Sequence, residues 1–373
     1  MSKQLLLFDR SRSTADWECP RSRYLNYEAD GRGYVPESSA YELSFGSAIH
    51  TGLASIAQGQ LDGNIDIDTI TTIAAAEVVE CLRKNGSKTE EYILEQAALV
   101  EGMLGGFHRH LWPRLMAQYP KILAIEQEMA YKYHSVLFMA KPDLVAVDKN
   151  GEVVYVEYKS TSSKKDEWIN SWNTAIQLHA TTRAIEASLG EAIGAVQVIG
   201  LYKGYQNYGK QTSIFPYAYK RNGQPPFSHD DFRYDYAAGF KKYPVWEMPG
   251  GVKTWVEGMP ETLLGEQFPC TPPIFISDSM VEAFFAQRNL REQEINMAKM
   301  MLETTDDPVV KKDVLNTAFE QNFSKCSPAW GYGCPYKKFC FGEVAEPLKQ
   351  GFCVRESHHA IEADTWKLED QIK

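Results

Sequence analysis

The stretch "KPDLVAVDKNGEVVYVEYKS", residues 141–160, constrains the fold more than any other part of the chain. "LVAV" and "VVYV" are short β-branched runs, and Asn150-Gly151 between them is a strong hairpin signal. Two buried strands are expected, yet both carry charge: Asp143 on the first, Glu157 and Lys159 on the second. Glu157 and Lys159 are two apart and therefore share a face. Whether Asp143 joins them depends on register. A two-residue Asn150-Gly151 turn pairs 149 with 152 and sets Asp143 opposite Tyr158, on the wrong face. A three-residue loop, Lys149-Asn150-Gly151 with Gly151 in the left-handed region, pairs 148 with 152 and sets Asp143 opposite Glu157. The three-residue loop is expected, because it gathers both carboxylates and the lysine.

Adjacent carboxylates in a sheet are costly through desolvation and mutual repulsion unless positive charge lies between them. A hard divalent cation, Mg²⁺ or Mn²⁺, suits such a pair, since it prefers carboxylate oxygen and can bridge to a phosphate. A lysine beside it is a compact charge that can orient or deprotonate a water. Spacing alone also leaves open a solvated hairpin with a Glu/Lys surface pair.

Helices are expected over 13–28 (containing Cys19), 39–58, 66–84, 88–118 with an interruption near Pro113, 166–189, 279–303 and 307–322. Strands are expected over 121–160 and 195–203. Strands flanked by helices place the chain in the α/β or α+β class. No run approaches the roughly 18 apolar residues of a membrane span, and no secretory leader pattern is present, so a cytoplasmic protein is expected. The net charge of −10 argues against indiscriminate nucleic-acid binding. Residues 202–242 nevertheless hold seven Lys/Arg against three Asp, interleaved with seven tyrosines. That segment is either a stacking surface for unpaired bases or a β extension whose rings pack on their own sheet.

Cys326, Cys334 and Cys340 lie close together in "CSPAWGYGCPYKKFC", and Cys19 is distant. Four thiolates suffice for tetrahedral zinc or an iron–sulfur cluster. The absence of a Cys-x-x-Cys pair fits a zinc ribbon poorly, while Pro335 and the aromatic residues Trp330, Tyr332, Tyr336 and Phe339 suit a shielded cluster. Cys353 is a spare, and Cys81 and Cys270 read as buried thiols.

The hairpin resembles the active-site hairpin of the PD-(D/E)XK nucleases, with Pro142-Asp143 and Glu157-Tyr158-Lys159 as its halves. "CPRSRYL" (19–25), "FGSAIH" (45–50), "AIEQEM" (124–129) and "QLHATTRA" (177–184) resemble, in order and spacing, the motifs of the RecB-like branch, which includes CRISPR-adaptation nucleases and nuclease modules of recombination helicases. The resemblance implies an α/β restriction-endonuclease-like core, a mixed central sheet flanked by helices, with helical and β insertions. It implies His50, Asp143, Glu157 and the Tyr158 carbonyl as metal ligands, Lys159 as the catalytic lysine, Gln177 as a positioning residue and Glu126 as a supporting acid. Position 181 is Thr where the branch usually has Tyr. It further implies a 4Fe-4S cluster on Cys19, Cys326, Cys334 and Cys340, with zinc as the alternative.

The expected organisation is 1–60 as an N-terminal part of the nuclease fold, 61–120 as a helical insertion and 121–205 as the catalytic core. A Tyr-rich extension (206–275), C-terminal helices with the cysteines (276–345) and a charged tail (346–373) follow. The expected activity is metal-dependent hydrolysis of DNA, as an exonuclease on single strands or ends in recombination, repair or phage DNA metabolism. An endonuclease trimming DNA intermediates, or a catalytically silent cluster-bearing subunit of a recombination complex, are the alternatives. No Gly-x-x-x-x-Gly-Lys-Ser/Thr loop is present, so any unwinding requires a helicase partner, and a recombinase or annealing protein is a further candidate partner.

Overall fold

A computed structural model describes residues 5–37, 41–85, 89–162, 165–172, 175–203, 246–248, 252–254, 265, 268–326, 333–341, 348 and 351–364. Most of the Tyr-rich segment (204–242), Trp330, Tyr332 and the end of the tail lie outside them. The hairpin forms in the expected register. Strands β6 (Leu144–Val147) and β7 (Val153–Thr161) pair antiparallel, Leu144 with Val156 and Val147 with Val153. The Asp148 N–H donates to the Glu152 carbonyl at 2.8 Å, and Gly151 sits at φ +87°. The Asp148 side chain accepts from the Asn150 and Glu152 N–H groups, both at 2.8 Å, which holds the loop closed.

On either side of the hairpin, β3 (Lys121–Ile125) pairs antiparallel with β6, and β8 (Ile193–Tyr202) pairs parallel with β7. The sheet is therefore mixed, in the order β3-β6-β7-β8. The parallel pair needs a crossover, supplied by α7 (Lys165–Ser171) and α8 (Ile176–Leu189). One helix was expected over 166–189; the structure has two.

The period of two in the strands divides the core. Leu144, Ala146, Val154, Val156 and Tyr158 face a layer made by α3 (Tyr41–Leu61), α4 (Ile67–Asn85), α5 (Glu90–Gly106) and α6 (Trp112–Gln118). Helix α5 passes into α6 through a wider turn, Phe107–Leu111, with Pro113 in the first turn of α6. Val145, Val153, Tyr155, Val196 and Val198 face the other way, onto α8 and the long helix α9 (Asp278–Thr304). On this second side lies a smaller sheet in which β1 (Leu6–Asp9) runs parallel to β5 (Val136–Ala140), itself antiparallel to β4 (Met129–Tyr133). Each fully buried Leu, Val or Phe in these layers contributes about 1.5–3 kcal/mol. The result is a mixed α/β fold of the restriction-endonuclease-like kind.

The N-terminal helix departs from expectation at Cys19. Helix α1 (Arg10–Glu18) ends there and α2 (Pro20–Arg23) begins after it, with Cys19 extended at φ −164°, ψ 106°. Pro20 is the cause, since a residue before proline is driven out of the helical region. Helix α10 (Pro308–Ala318) stops short of the expected residue 322. Residues 351–364 of the charged tail are tied down: β2 (Tyr34–Pro36) pairs with Phe352–Val354, and Arg355, His359 and Glu362 are buried. Their charges meet partners from the N-terminus. Arg12 bridges Asp9 and Glu362, Arg355 also reaches Glu362, and His359 lies between Asp9 and Glu128.

Candidate active site

Beyond the Leu144–Val156 pair, the register carries Asp143 to the position opposite Glu157, and both carboxylates are buried. Asp143 Oδ2 accepts the Tyr158 N–H at 2.6 Å, and its Oδ1 lies 2.8 Å from His50 Nδ1. His50 comes from α3, whose Phe45, Ile49 and Leu53 are locked in the helical layer, so the ring is presented to the strand end by packing. Glu126 completes a compact group: His50, Glu126 and Asp143 each place one ligand atom within 4.8 Å of the others, the one such group of three among the described residues. Expected only as a supporting acid, Glu126 sits directly in this group. It follows β3 at φ +47°, a conformation that costs a non-glycine residue free energy and is typical of functional sites. Its N–H donates to the Asp143 carbonyl at 3.2 Å, and Lys141 Nζ lies 3.0 Å from its carboxylate.

Glu157 is engaged differently. Oε1 pairs with both Lys159 and, at 2.8 Å, Arg10 Nη1, while Oε2 accepts the Tyr155 hydroxyl. Lys159 shares the face of Glu157, as their spacing requires. The Tyr158 side chain points away into the helical layer, its ring edge-on to Phe107, leaving its backbone at the site. Gln177, at the start of α8, donates from Nε2 to Thr14 Oγ1 of α1 at 3.2 Å. Thr181 turns its hydroxyl back onto the Gln177 carbonyl. Arg10, Tyr155 and Lys141 are the site residues that sequence reasoning missed. Tyr155 was within reach, because i and i+2 on a strand share a face with Glu157; Arg10 was not, because only the fold brings α1 to β7.

The charges explain why these groups need one another. Burial and then the Glu157 charge push the Asp143 carboxyl above its ordinary value, against the pull of His50. Burial would do the same to Glu157, but Lys159 and Arg10 outweigh it and hold that carboxyl low. His50 is raised to about 9, because the Asp143 charge and hydrogen bond overcome the burial that opposes a charged ring. A compact set of one imidazole and carboxylate oxygens, half-buried at His50 and Glu126 and buried at Asp143, is a donor set that a hard divalent cation fits. His50 and Glu126 also line an open groove of about 450 Å³ together with Ser47, Thr51 and Lys141.

The four cysteines of the expected cluster, Cys19, Cys326, Cys334 and Cys340, are not gathered as His50, Glu126 and Asp143 are: no three of their sulfurs lie within 4.8 Å of one another. The Cys334 N–H donates to the Cys326 carbonyl at 3.3 Å, and the Asn322 N–H donates to Cys19 Sγ at 3.4 Å. Burial raises the Cys334 thiol, reinforced by Cys19 and Cys326. Cys340 is pushed up to about 11, again by burial first, with Cys334, Cys19 and Cys326 adding to it. Cys353 is exposed on the strand beside β2, with Sγ toward the Val35 carbonyl.

Residues 15–341 match the family model described as the PD-(D/E)XK nuclease superfamily. Among solved structures, the chain is similar to a "Putative exonuclease" from Eubacterium rectale, at 11% identity over 89% of this chain and 91% of that one, with a TM-score of 0.36. None of the curated proteins matches the chain. No helix among the described residues is long and apolar enough to cross a membrane.

Proposed function

Because the chain belongs to the PD-(D/E)XK nuclease superfamily, we propose that it is a metal-dependent deoxyribonuclease of the RecB-like branch, an exonuclease acting on single strands or DNA ends. The observation that carries the proposal is the convergence of His50, Glu126 and Asp143 beside the Glu157–Lys159 pair. His50, Asp143 and Glu157, with the Tyr158 carbonyl, would hold Mg²⁺ or Mn²⁺, and Glu126 is close enough to contribute. Bound there, the cation supplies charge neutralisation at the phosphate and lowers the pKa of a water.

The chain's own groups account for the rest. Lys159 is placed to steer a water oxygen toward phosphorus and to offset charge on the phosphate oxygens as the phosphorus–oxygen bond breaks. The water proton passes to solvent and the leaving oxygen gains one in return, so hydrolysis balances. Gln177, bonded to Thr14, ties α8 to the helix that carries Arg10. We place the DNA partner over the open side of this site, and assign recombination, repair or phage DNA metabolism as its setting, with any helicase or annealing protein acting in trans.

Cys19, Cys326, Cys334 and Cys340 are proposed to hold a 4Fe-4S cluster, with zinc as the competing occupant. Supporting this are the contact of Asn322 with Cys19 Sγ, the hydrogen bond from Cys334 to the Cys326 carbonyl, and the packing of Phe339 and Tyr336 against Phe352. Metal bridging of residues so far apart in sequence would stabilise the fold by restricting the unfolded chain.

The test is incubation of the protein, purified without oxygen, with end-labelled linear and with covalently closed single-stranded DNA, each with Mg²⁺ or Mn²⁺. Loss of linear DNA from its ends with circles spared is the expected result. Cut circles would make it an endonuclease, and binding without cleavage of either would make it a silent subunit.

A further inference from the structure

The four arginines of residues 10–23 have separate fates. Arg12 is buried between Asp9 and Glu362, and Arg23 is buried between Glu28 and Glu292. Arg21 donates to the Leu315 and Phe319 carbonyls. Arg10 alone of the four reaches the candidate active site, and its side chain remains 39% exposed. Its position is not loose. Arg10 is the first residue of α1, and Asp9 caps that helix by accepting the Arg12 N–H at 2.7 Å while also holding the Arg12 side chain and His359.

Neutralising Glu157 does not require Arg10. Lys159 already sits on the same oxygen, and Tyr155 satisfies the other. Arg10 spends one donor, Nη1, on Glu157, out of the five in a guanidinium fork that matches phosphate geometry. Any cation taken up by Glu157 would face Arg10 and Lys159 crowded onto one oxygen. Like charges so close are tolerated only with an anion between them.

We propose that Arg10 is a substrate-contacting residue that exchanges Glu157 for a non-bridging oxygen of the scissile phosphodiester or the one next to it. This rests on the nuclease reading. Arg10 then selects for an anionic backbone at one position and leaves the base unread.

The test combines Arg10→Gln and Arg10→Lys with oligonucleotides carrying a single uncharged methylphosphonate, moved one linkage at a time along the strand. Binding is measured by fluorescence anisotropy with Ca²⁺ in place of Mg²⁺, and cleavage separately with Mg²⁺. Wild type should lose about 10-fold in affinity at one linkage, and Arg10→Gln should bind all-phosphate DNA about 10-fold more weakly, as expected for one charged contact. At that linkage the modification should cost Arg10→Gln nothing further, while Arg10→Lys should regain part of the loss. The salt dependence of Arg10→Gln should be shallower by about 0.7 in log–log slope. An undiminished methylphosphonate penalty in Arg10→Gln would overturn the proposal, whatever happens to its cleavage rate, as would wild-type binding and cleavage by the variant. Absence of cleavage by wild type would instead count against the nuclease reading, and the binding arm would still decide the role of Arg10.

Discussion

Asp143 and Glu157 stand opposite each other on neighbouring strands, and they do so because the loop between those strands has three residues. The two buried acids differ in how they are held: Glu157 has two cations and a hydroxyl, whereas Asp143 has His50 and one backbone N–H.

That difference predicts the behaviour of Asp143→Asn. Burial and Glu157 disfavour the charged form of Asp143, so replacing it with a neutral isostere should leave metal-free stability unchanged or raised. Metal binding should suffer. Wild type should gain thermal stability with Mn²⁺, by about 2.7 kcal/mol at a hundredfold excess over Kd, and the variant should not. Melting curves with and without Mn²⁺ decide this; an undiminished shift in the variant would remove Asp143 from the ligand set.

Gly151→Ala should separate folding from chemistry. A Cβ there meets nothing within 4 Å, so the cost is the φ of +87° alone, about 1–2 kcal/mol. Urea denaturation should show that loss, with DNA cleavage at low urea kept within about twofold, since lost folding stability does not raise the activation barrier while the folded state dominates.

The clasp formed by the C-terminal segment predicts a pH dependence. His359 lies between Asp9 and Glu128; burial opposes its charge, but the Asp9 hydrogen bond and charge raise its pKa overall. Its contribution is therefore complete below the unfolded value of about 6.5 and is lost as pH rises through the folded value. Asp9 and Glu362 are shifted down, so theirs is present above about pH 4 and lost as pH falls through their folded values. Melting temperature should peak between about pH 5 and 6.5 and decline toward alkaline pH, and His359→Gln should flatten the alkaline decline. An unaltered alkaline slope in the variant would show that His359 is not its source.

If the four cysteines hold an iron–sulfur cluster, anaerobically purified protein should be brown, with about four iron and four sulfide per chain. Cys340→Ser should lose most of the iron and melt at lower temperature, and Cys353→Ser should retain both. Stoichiometric zinc without sulfide would replace the cluster with a zinc site.

What could be read from the sequence was local. The Asn150-Gly151 signal between β-branched runs located the hairpin, the gathering of Asp143, Glu157 and Lys159 chose its register, and helical periodicity located α3, α4 and α9 closely. What could not be read was assembled at long range. Strand β1 is four residues whose pairing with Val136–Ala140 no local pattern announces. Arg10 reaches Glu157 across 147 positions of sequence. The burial of the charged tail could not be read because its Glu362 and His359 find partners only in the fold, on Arg12 and Asp9. Glu126 was underrated because its place in the site depends on a left-handed backbone that sequence gives no reason to expect of a glutamate.

The most direct test of the account is the single-turnover rate of cleavage of end-labelled single-stranded DNA by wild type and Lys159→Ala, with DNA affinity and Mn²⁺ affinity measured on the same samples. The account predicts near-normal affinities for the variant and cleavage slower by about 10²–10⁴-fold. Cleavage by Lys159→Ala at the wild-type rate would contradict it, because the hairpin would then not be the site of the chemistry.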